Sequence, residues 1–174
     1  IQSYIYDAIV DSDVDGVIGK FGLSPFTVNA LSISRTLCEK IMSLVRFSYG
    51  QNPAKDLNNK IRHIYDIHQL LKNNELNEFF NSKEFDEMLL QVATEDISSF
   101  KSNKNWIFTH PSEALIFSDV EGIWPKLSKT YNTDFSELVF SDLPAEKDIV
   151  TTLKKVAERM LKIDWEIMPI NSNL

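Results

Sequence analysis

The chain has 174 residues, which is the size of one substantial domain, since domains typically run to about 100 to 200 residues. Its 43% hydrophobic and 11% aromatic content excludes a disordered chain, and its formal net charge of −7 excludes a general nucleic-acid coat, which needs clustered Lys and Arg. With one cysteine and no apolar run near the roughly 18 residues of a membrane span, the sequence predicts a soluble, cytoplasmic protein without a disulfide.

The first 33 residues are predicted to be the end of a domain whose beginning lies upstream. Apolar residues at helical spacing predict a short helix over residues 1–10. Residues 26–31 follow Pro25 and alternate, with β-branched and aromatic content, which predicts the one strand of the chain. A single strand needs a sheet to join, and the chain opens on Ile1 rather than methionine. We therefore expect most of that sheet upstream and no metal ligands in this segment.

A long helix is predicted from about Arg35 to Tyr49, capped by Ser32 or Ser34. Most of its circumference is apolar. A polar edge is formed, at steps of four and three residues, by Thr36, Lys40 and Ser43.

A second long helix is predicted to begin near residues 56–59, after the linker 50–54, and to run to Leu71. More than half of its circumference is apolar at about 100° per residue. One narrow polar strip contains Arg62, Asp66, Gln69 and Asn73. This pattern is typical of a nearly buried helix, in which a carboxylate must be paired or have a function.

The remaining chain is also predicted to be helical, and it ends in the clearest periodicity of the sequence. A long final helix follows Pro144, with apolar residues at steps of four, three, four and three. Residues 106–108 are expected to return to the core. Shorter helices are predicted near 76–80, 85–100, 112–117, 120–131 and 134–137, with a polar loop at 101–105 and a frayed tail from 168.

The two polar edges are the candidate site. A lysine beside a carboxylate at a cleft suits nucleotide chemistry, with Lys40 for a triphosphate and Asp66 for orientation or metal support. Antiparallel packing of the two long helices would bring these side chains together. Spacing alone leaves an alternative open, in which Lys40 is a solvated lysine and Arg62 forms only an i,i+4 ion pair with Asp66.

The two helices also carry motifs that resemble a known family. Segment 35–49 begins with R-T-(x)2-E-K, and segment 60–66 contains R-H-x-Y-D. Both resemble motifs in the C-terminal half of the AbiEii-type nucleotidyltransferase toxins, specifically over about residues 25–71. The resemblance implies that Lys40 meets nucleotide phosphates and that Asp66 completes the active site, with Arg62, His63 and Tyr65 as the matching neighbours. From the two polar edges, Thr36, Ser43 and Arg62 are predicted as further nucleotide-binding residues.

The resemblance implies a mainly α-helical bundle with one short N-terminal strand left over from a nucleotidyltransferase sheet. Residues 1–33 would end the nucleotidyltransferase domain, 34–168 would form the helical C-terminal domain, and 169–174 a tail. The implied activity is transfer of a nucleotide from an NTP to an RNA, with tRNA as the expected acceptor, in a toxin–antitoxin or phage-defence system with a cognate antitoxin.

One family motif is missing. No Gly-Ser element followed by paired aspartates occurs in the sequence, although Mg²⁺-dependent nucleotidyl transfer needs such carboxylates. We therefore expect Mg²⁺ and NTP to be used by a longer protein whose metal ligands lie upstream. Residues 1–174 alone are expected to be inactive.

Two other functions fit the pattern. Arg62 and His68 form an R-(x)5-H spacing that resembles the catalytic signature of HEPN-type ribonuclease toxins. The third interpretation is a non-catalytic helical module that binds an antitoxin or RNA.

Overall fold

The computed structural model describes residues 4–12, 16–23, 30–99, 105–140 and 142–166. The protein is mainly α-helical, as predicted, and the described residues contain no strand. The chain divides into two compact units, residues 1–31 and 32–174. The assignment of the first 33 residues to a nucleotidyltransferase domain stays a prediction.

The first unit contains two helices, α1 (Tyr4–Asp11) and α2 (Val17–Phe21). Helix α1 confirms the helix predicted over residues 1–10. The predicted strand 26–31 falls mostly on residues 24–29, which lie outside the described residues. Its last two residues, Ala30 and Leu31, are described and are not in a strand.

The second unit carries the candidate site and contains eight α-helices among its described residues. These are α3 (Ile33–Phe47), α4 (Pro53–Asn58), α5 (Ile61–Leu70), α6 (Asn74–Phe80), α7 (Lys83–Ser99), α8 (Leu115–Ser118), α9 (Val120–Asn132) and α10 (Glu146–Met160). Three short 3₁₀ turns join them, at Asn105–Phe108, Pro111–Glu113 and Ser136–Leu138.

Helix α3 lies at the centre of this unit and packs against α5 and α7. Its start is fixed by Ser32, whose hydroxyl oxygen accepts a hydrogen bond from the Arg35 N–H at 3.1 Å. Six of its apolar side chains are completely buried: Leu37, Cys38, Ile41, Met42, Leu44 and Val45. Burial of so much apolar surface makes α3 the helix against which the site is built.

Helix α5 begins at Ile61, later than predicted, because residues 53–58 form the separate helix α4. Pro53 starts α4, and the Asn52 side chain caps it by accepting a hydrogen bond from the Lys55 N–H at 3.2 Å. At the other end of α4, the Asn58 amide donates to the Lys126 carbonyl of α9 at 3.0 Å. These contacts hold α4 apart from α5.

The predicted periodicity of the final helix is confirmed over α10, where Ile149, Leu153, Val156 and Met160 are all buried. Ile163 is also buried, but it lies beyond the end of α10 at Met160. The prediction for residues 106–108 is wrong in one position. Trp106 and Ile107 are buried, but the ring of Phe108 is 68% exposed, because it ends a 3₁₀ turn whose neighbouring side chains point in different directions. The predicted loop 101–105 and the tail from 168 lie outside the described residues, apart from Asn105.

Candidate active site

Lys40 and Asp66 meet between α3 and α5. The Lys40 ammonium donates to Asp66 Oδ2 at 2.7 Å, and the two side chains are only 20% and 22% exposed. The Lys60 ammonium lies 4.5 Å above the Phe47 ring, so the start of α5 lies beside the end of α3 and the helices run antiparallel. The predicted antiparallel packing and the meeting of Lys40 with Asp66 are therefore confirmed. The alternative is wrong in making Lys40 a solvated lysine, but its i,i+4 pair of Arg62 with Asp66 is present. The roles of these residues at a nucleotide stay predictions.

Arg62 lies at the rim of this pair. Its Nε is 3.7 Å from the same Asp66 oxygen, and its side chain is 79% exposed. An ion pair with so exposed a partner contributes at most about 1 kcal/mol to stability. Asp66 thus has two cationic neighbours, of which Lys40 is the closer and the more buried.

A polar cavity of about 470 Å³ opens on one side of Lys40, between α3, the start of α5, and α7. Thr36, Lys40 and Ser43 all line it, so the predicted edge of α3 faces this space. The Thr36 hydroxyl donates to the Ser32 carbonyl at 3.0 Å, whereas the buried Ser43 hydroxyl has no side-chain hydrogen bond within the described ranges. Ser43 can therefore serve a ligand in the polar cavity more readily than Thr36 can.

Charged side chains from three helices surround the polar cavity. Arg35 pairs with Glu39 at 3.0 Å and also with Glu95, and Arg46 pairs with Asp96 at 3.1 Å. The hydrogen bond from Arg35 lowers the pKa of Glu95, whereas burial raises the pKa of Asp96 against the opposing effect of Arg46. These pairs hold guanidinium groups at the cavity wall.

Lys60 differs from the other cations of the polar cavity. In the described part of the chain it pairs with no carboxylate, and its ammonium rests over the Phe47 ring instead. A cation held over an aromatic face keeps its charge available to an anion. The described lining of the polar cavity holds four cationic side chains and three carboxylates, so Lys60 leaves it a small excess of positive charge that suits an anion such as phosphate.

His63 lines the polar cavity with an uncharged imidazole. Burial lowers its pKa to about 4, helped by the positive charges of Lys40 and Lys60 and opposed by Asp66. Its buried Nδ1 has no hydrogen-bond partner among the described residues. The imidazole is therefore uncharged at neutral pH and adds no positive charge to the cavity it lines.

A second cavity, of about 480 Å³, also lies beside Lys40, between α3, α5 and α6. We call it the apolar cavity because Ile33, Leu70 and Leu76 line it. Thr36 and Lys40 belong to both cavities, and Asp66 lines this one. The Lys40–Asp66 pair thus stands where a charged space and an apolar space adjoin.

Residues 3–165 match the family described as nucleotidyl transferase AbiEii toxin, type IV toxin–antitoxin system. The chain belongs to the AbiEii nucleotidyltransferase toxin family. That description implies an antitoxin in the same system. Neither a curated protein nor a solved structure matches the chain significantly.

The described residues do not fit the Mg²⁺ site that an AbiEii nucleotidyltransferase implies. They contain no group of three or more His, Cys, Asp or Glu side chains that could hold a metal ion. Asp66, the carboxylate that contacts Lys40, already accepts a hydrogen bond from its ammonium group. A divalent cation needs several oxygen ligands free of competing cations.

The HEPN-like alternative gains no support from the geometry. Arg62 is exposed at the rim, whereas His68 is buried, with its Nδ1 2.7 Å from the Thr152 hydroxyl of α10. His68 therefore joins two helices, as expected of a core histidine.

None of the described helices is long and apolar enough to cross a membrane.

Several site residues of this AbiEii protein were not identified from its sequence, namely Arg35, Arg46, Lys60, Glu95 and Asp96. The i,i+4 spacing of Arg35 and Glu39 is a local signal for their pairing. No comparable signal links α3 to Glu95 and Asp96, because these pairs span 60 and 50 residues.

The buried imidazole of His63 predicts a pH dependence of stability. Its pKa is about 4 in the folded protein and 6.5 when unperturbed, so between these values the unfolded chain binds more protons. We expect the free energy of unfolding to fall as the pH is lowered from about 6.5 towards 4, by up to roughly 3 kcal/mol from this residue. Urea unfolding of wild type and His63→Gln across this range measures it.

The His63→Gln protein should lose part of this slope but not all of it, because burial also lowers the pKa of His68. If stability changed equally with pH in wild type and in His63→Gln, the pKa of His63 would have to be the same in the folded and the unfolded chain.

Proposed function

We propose that the protein is part of a nucleotidyltransferase toxin, which transfers a nucleotide from an NTP to an RNA. The expected acceptor is tRNA. The observation that carries this proposal is the half-buried contact of Lys40 with Asp66 at the wall of the polar cavity. Family membership supports the general reaction class.

Lys40 binds the triphosphate in this proposal. Its ammonium lies in a partly buried site, where a charge-assisted hydrogen bond to phosphate is stronger than in water. Ser43 and Thr36 flank it on α3, one to the buried side and one towards the helix start. Lys60 and Arg62 add positive charge at the ends of the site, so an anion entering it meets cations from both helices.

Asp66 has two roles in the proposal. It holds the Lys40 ammonium at the junction of the two cavities, and it contributes the carboxylate that completes the active site. Since the described residues do not fit a metal site, we propose that carboxylates outside them hold Mg²⁺ and that residues 1–174 alone transfer no nucleotide. Mg²⁺ would supply charge neutralisation at the phosphates.

The proposal is tested by competition binding. A fluorescent NTP analogue is titrated with the protein, and unlabelled NTPs, inorganic tripolyphosphate and free nucleosides are added as competitors. We expect NTPs and tripolyphosphate to displace the analogue and nucleosides to do so at least about tenfold more weakly, because the triphosphate makes the charge-assisted contacts.

The same titrations are made with Lys40→Ala, and Lys154→Ala is its matched control. Lys154 also pairs with a carboxylate, Glu121, but lines a different cavity. The competition curves of Lys154→Ala should match those of wild type. Displacement by nucleosides but not by tripolyphosphate would contradict a phosphate site at Lys40.

A further inference from the structure

The apolar cavity contains a polar side chain without a partner. Gln69 of α5 lines it and is half-buried, and its side-chain amide makes no hydrogen bond to any described residue. A glutamine amide offers two donors and an acceptor. Its amide atoms are not among the buried polar atoms without a partner, so all three groups are open to water and available to a ligand.

The neighbouring amide is committed to the fold. The Asn73 side-chain oxygen accepts a hydrogen bond from the Leu76 N–H at 3.0 Å and so caps α6. This bond fixes Asn73 at the edge of the apolar cavity and occupies one of the two lone pairs of its side-chain oxygen. Among the described residues of this cavity, Gln69 is therefore the amide side chain whose donors and acceptor are all uncommitted.

The composition of the apolar cavity selects the part of a nucleotide that fits it. Among the described residues its charged lining consists of Lys40 and Asp66, which pair with each other, so it lacks the additional cations that the polar cavity offers to a phosphate chain. Its aliphatic walls suit a flat, weakly polar ring system, and its volume of about 480 Å³ lies in the usual range of small-molecule sites, roughly 300 to 1,000 Å³.

We propose that the apolar cavity binds the nucleobase of the NTP and that Gln69 determines which base is accepted. This inference rests on the proposed function, because it requires the triphosphate to lie at Lys40. Lys40 and Thr36 line both cavities, so a nucleotide bound at Lys40 through its phosphates can place its base in the apolar cavity. Amide side chains discriminate bases through paired hydrogen bonds to a base edge.

Equilibrium binding of the four NTPs and of inorganic tripolyphosphate tests the inference in three proteins: wild type, Gln69→Leu and Gln51→Leu. Gln51 is an exposed glutamine before α4 and serves as the matched control. Wild type and Gln51→Leu should prefer one NTP by about 5- to 100-fold. Gln69→Leu should bind all four within about twofold of one another and bind tripolyphosphate like wild type.

Gln69→Glu provides a second variant, because it keeps the side-chain length but replaces the NH₂ donors by an acceptor. It should change the order of the four affinities rather than level them. Thermal unfolding of each variant shows whether the helices are intact.

The inference is overturned if wild type binds the four NTPs equally, or if folded Gln69→Leu keeps the wild-type preference. In either case Lys40-dependent binding of tripolyphosphate would leave the proposed function standing. Failure of tripolyphosphate to bind in a Lys40-dependent way would overturn the proposed function itself.

Discussion

Replacing Lys40 by alanine is expected to weaken the binding of NTPs and of inorganic tripolyphosphate by about 10- to 100-fold, because hydrogen bonds to charged groups contribute about 1.5 to 3 kcal/mol. The loss of the ammonium also leaves Asp66 with only the exposed Arg62 as a partner. Its carboxylate would then repel phosphate. Calorimetric titration measures the affinity, and Lys154→Ala should leave it unchanged.

Asp66→Asn should have the opposite effect on binding. It removes the negative charge that lies 2.7 Å from the Lys40 ammonium, so the site becomes more positive and tripolyphosphate should bind roughly fivefold more tightly, equivalent to about 1 kcal/mol. Nucleotide transfer by a form of the toxin that is active should nevertheless be lost, because the carboxylate that completes the site is gone.

The opposite effects of Lys40→Ala and Asp66→Asn on triphosphate binding distinguish a ligand-binding site from a purely structural ion pair. A pair that only stabilises the fold would lose stability when either partner is replaced, and neither change would alter triphosphate binding. Equal binding by wild type, Lys40→Ala and Asp66→Asn, with lowered thermal stability in both variants, would contradict the assignment of Lys40 and Asp66.

The sequence predicts the helices that carry strong apolar periodicity. The burial of α3, α5 and α10 follows from repeats that each helix contains within itself, and the capping residue Ser32 fixes where α3 starts. The meeting of Lys40 and Asp66 was also predictable, because a short connection favours antiparallel packing and each side chain lies at the edge of an apolar face.

The rest depends on contacts that are distant in the sequence. Asn58 bonds to Lys126 across 68 residues, and this contact helps to set α4 apart from α5. The pairing of Arg46 with Asp96 spans 50 residues. Local periodicity carries no information about such partners, which is why the wall of the polar cavity and the unpartnered amide of Gln69 became visible only in the fold.

The largest expected loss of stability comes from Arg159, the buried cation of α10. Its guanidinium donates to the carbonyls of Phe80 and Ser82, each at 2.9 Å, and to Asp86 at 2.5 Å. It also lies 5.1 Å from the centre of the Phe85 ring. Arg159 therefore joins the final helix to the turn between α6 and α7. Helix α6 in turn borders the apolar cavity together with α3.

Arg159→Met should lower the free energy of unfolding by about 3 to 5 kcal/mol, because Asp86 and two carbonyls lose their partner in a buried setting. Arg159→Lys should cost less, since it keeps the charge but cannot donate in three directions with the same planar geometry. Urea unfolding measures both values. Arg62→Met is the matched control, and its exposed side chain should contribute less than about 1 kcal/mol. A loss for Arg159→Met as small as that of the control would show that water replaces the guanidinium without cost, and that α10 is held to the α6–α7 turn by its apolar contacts alone.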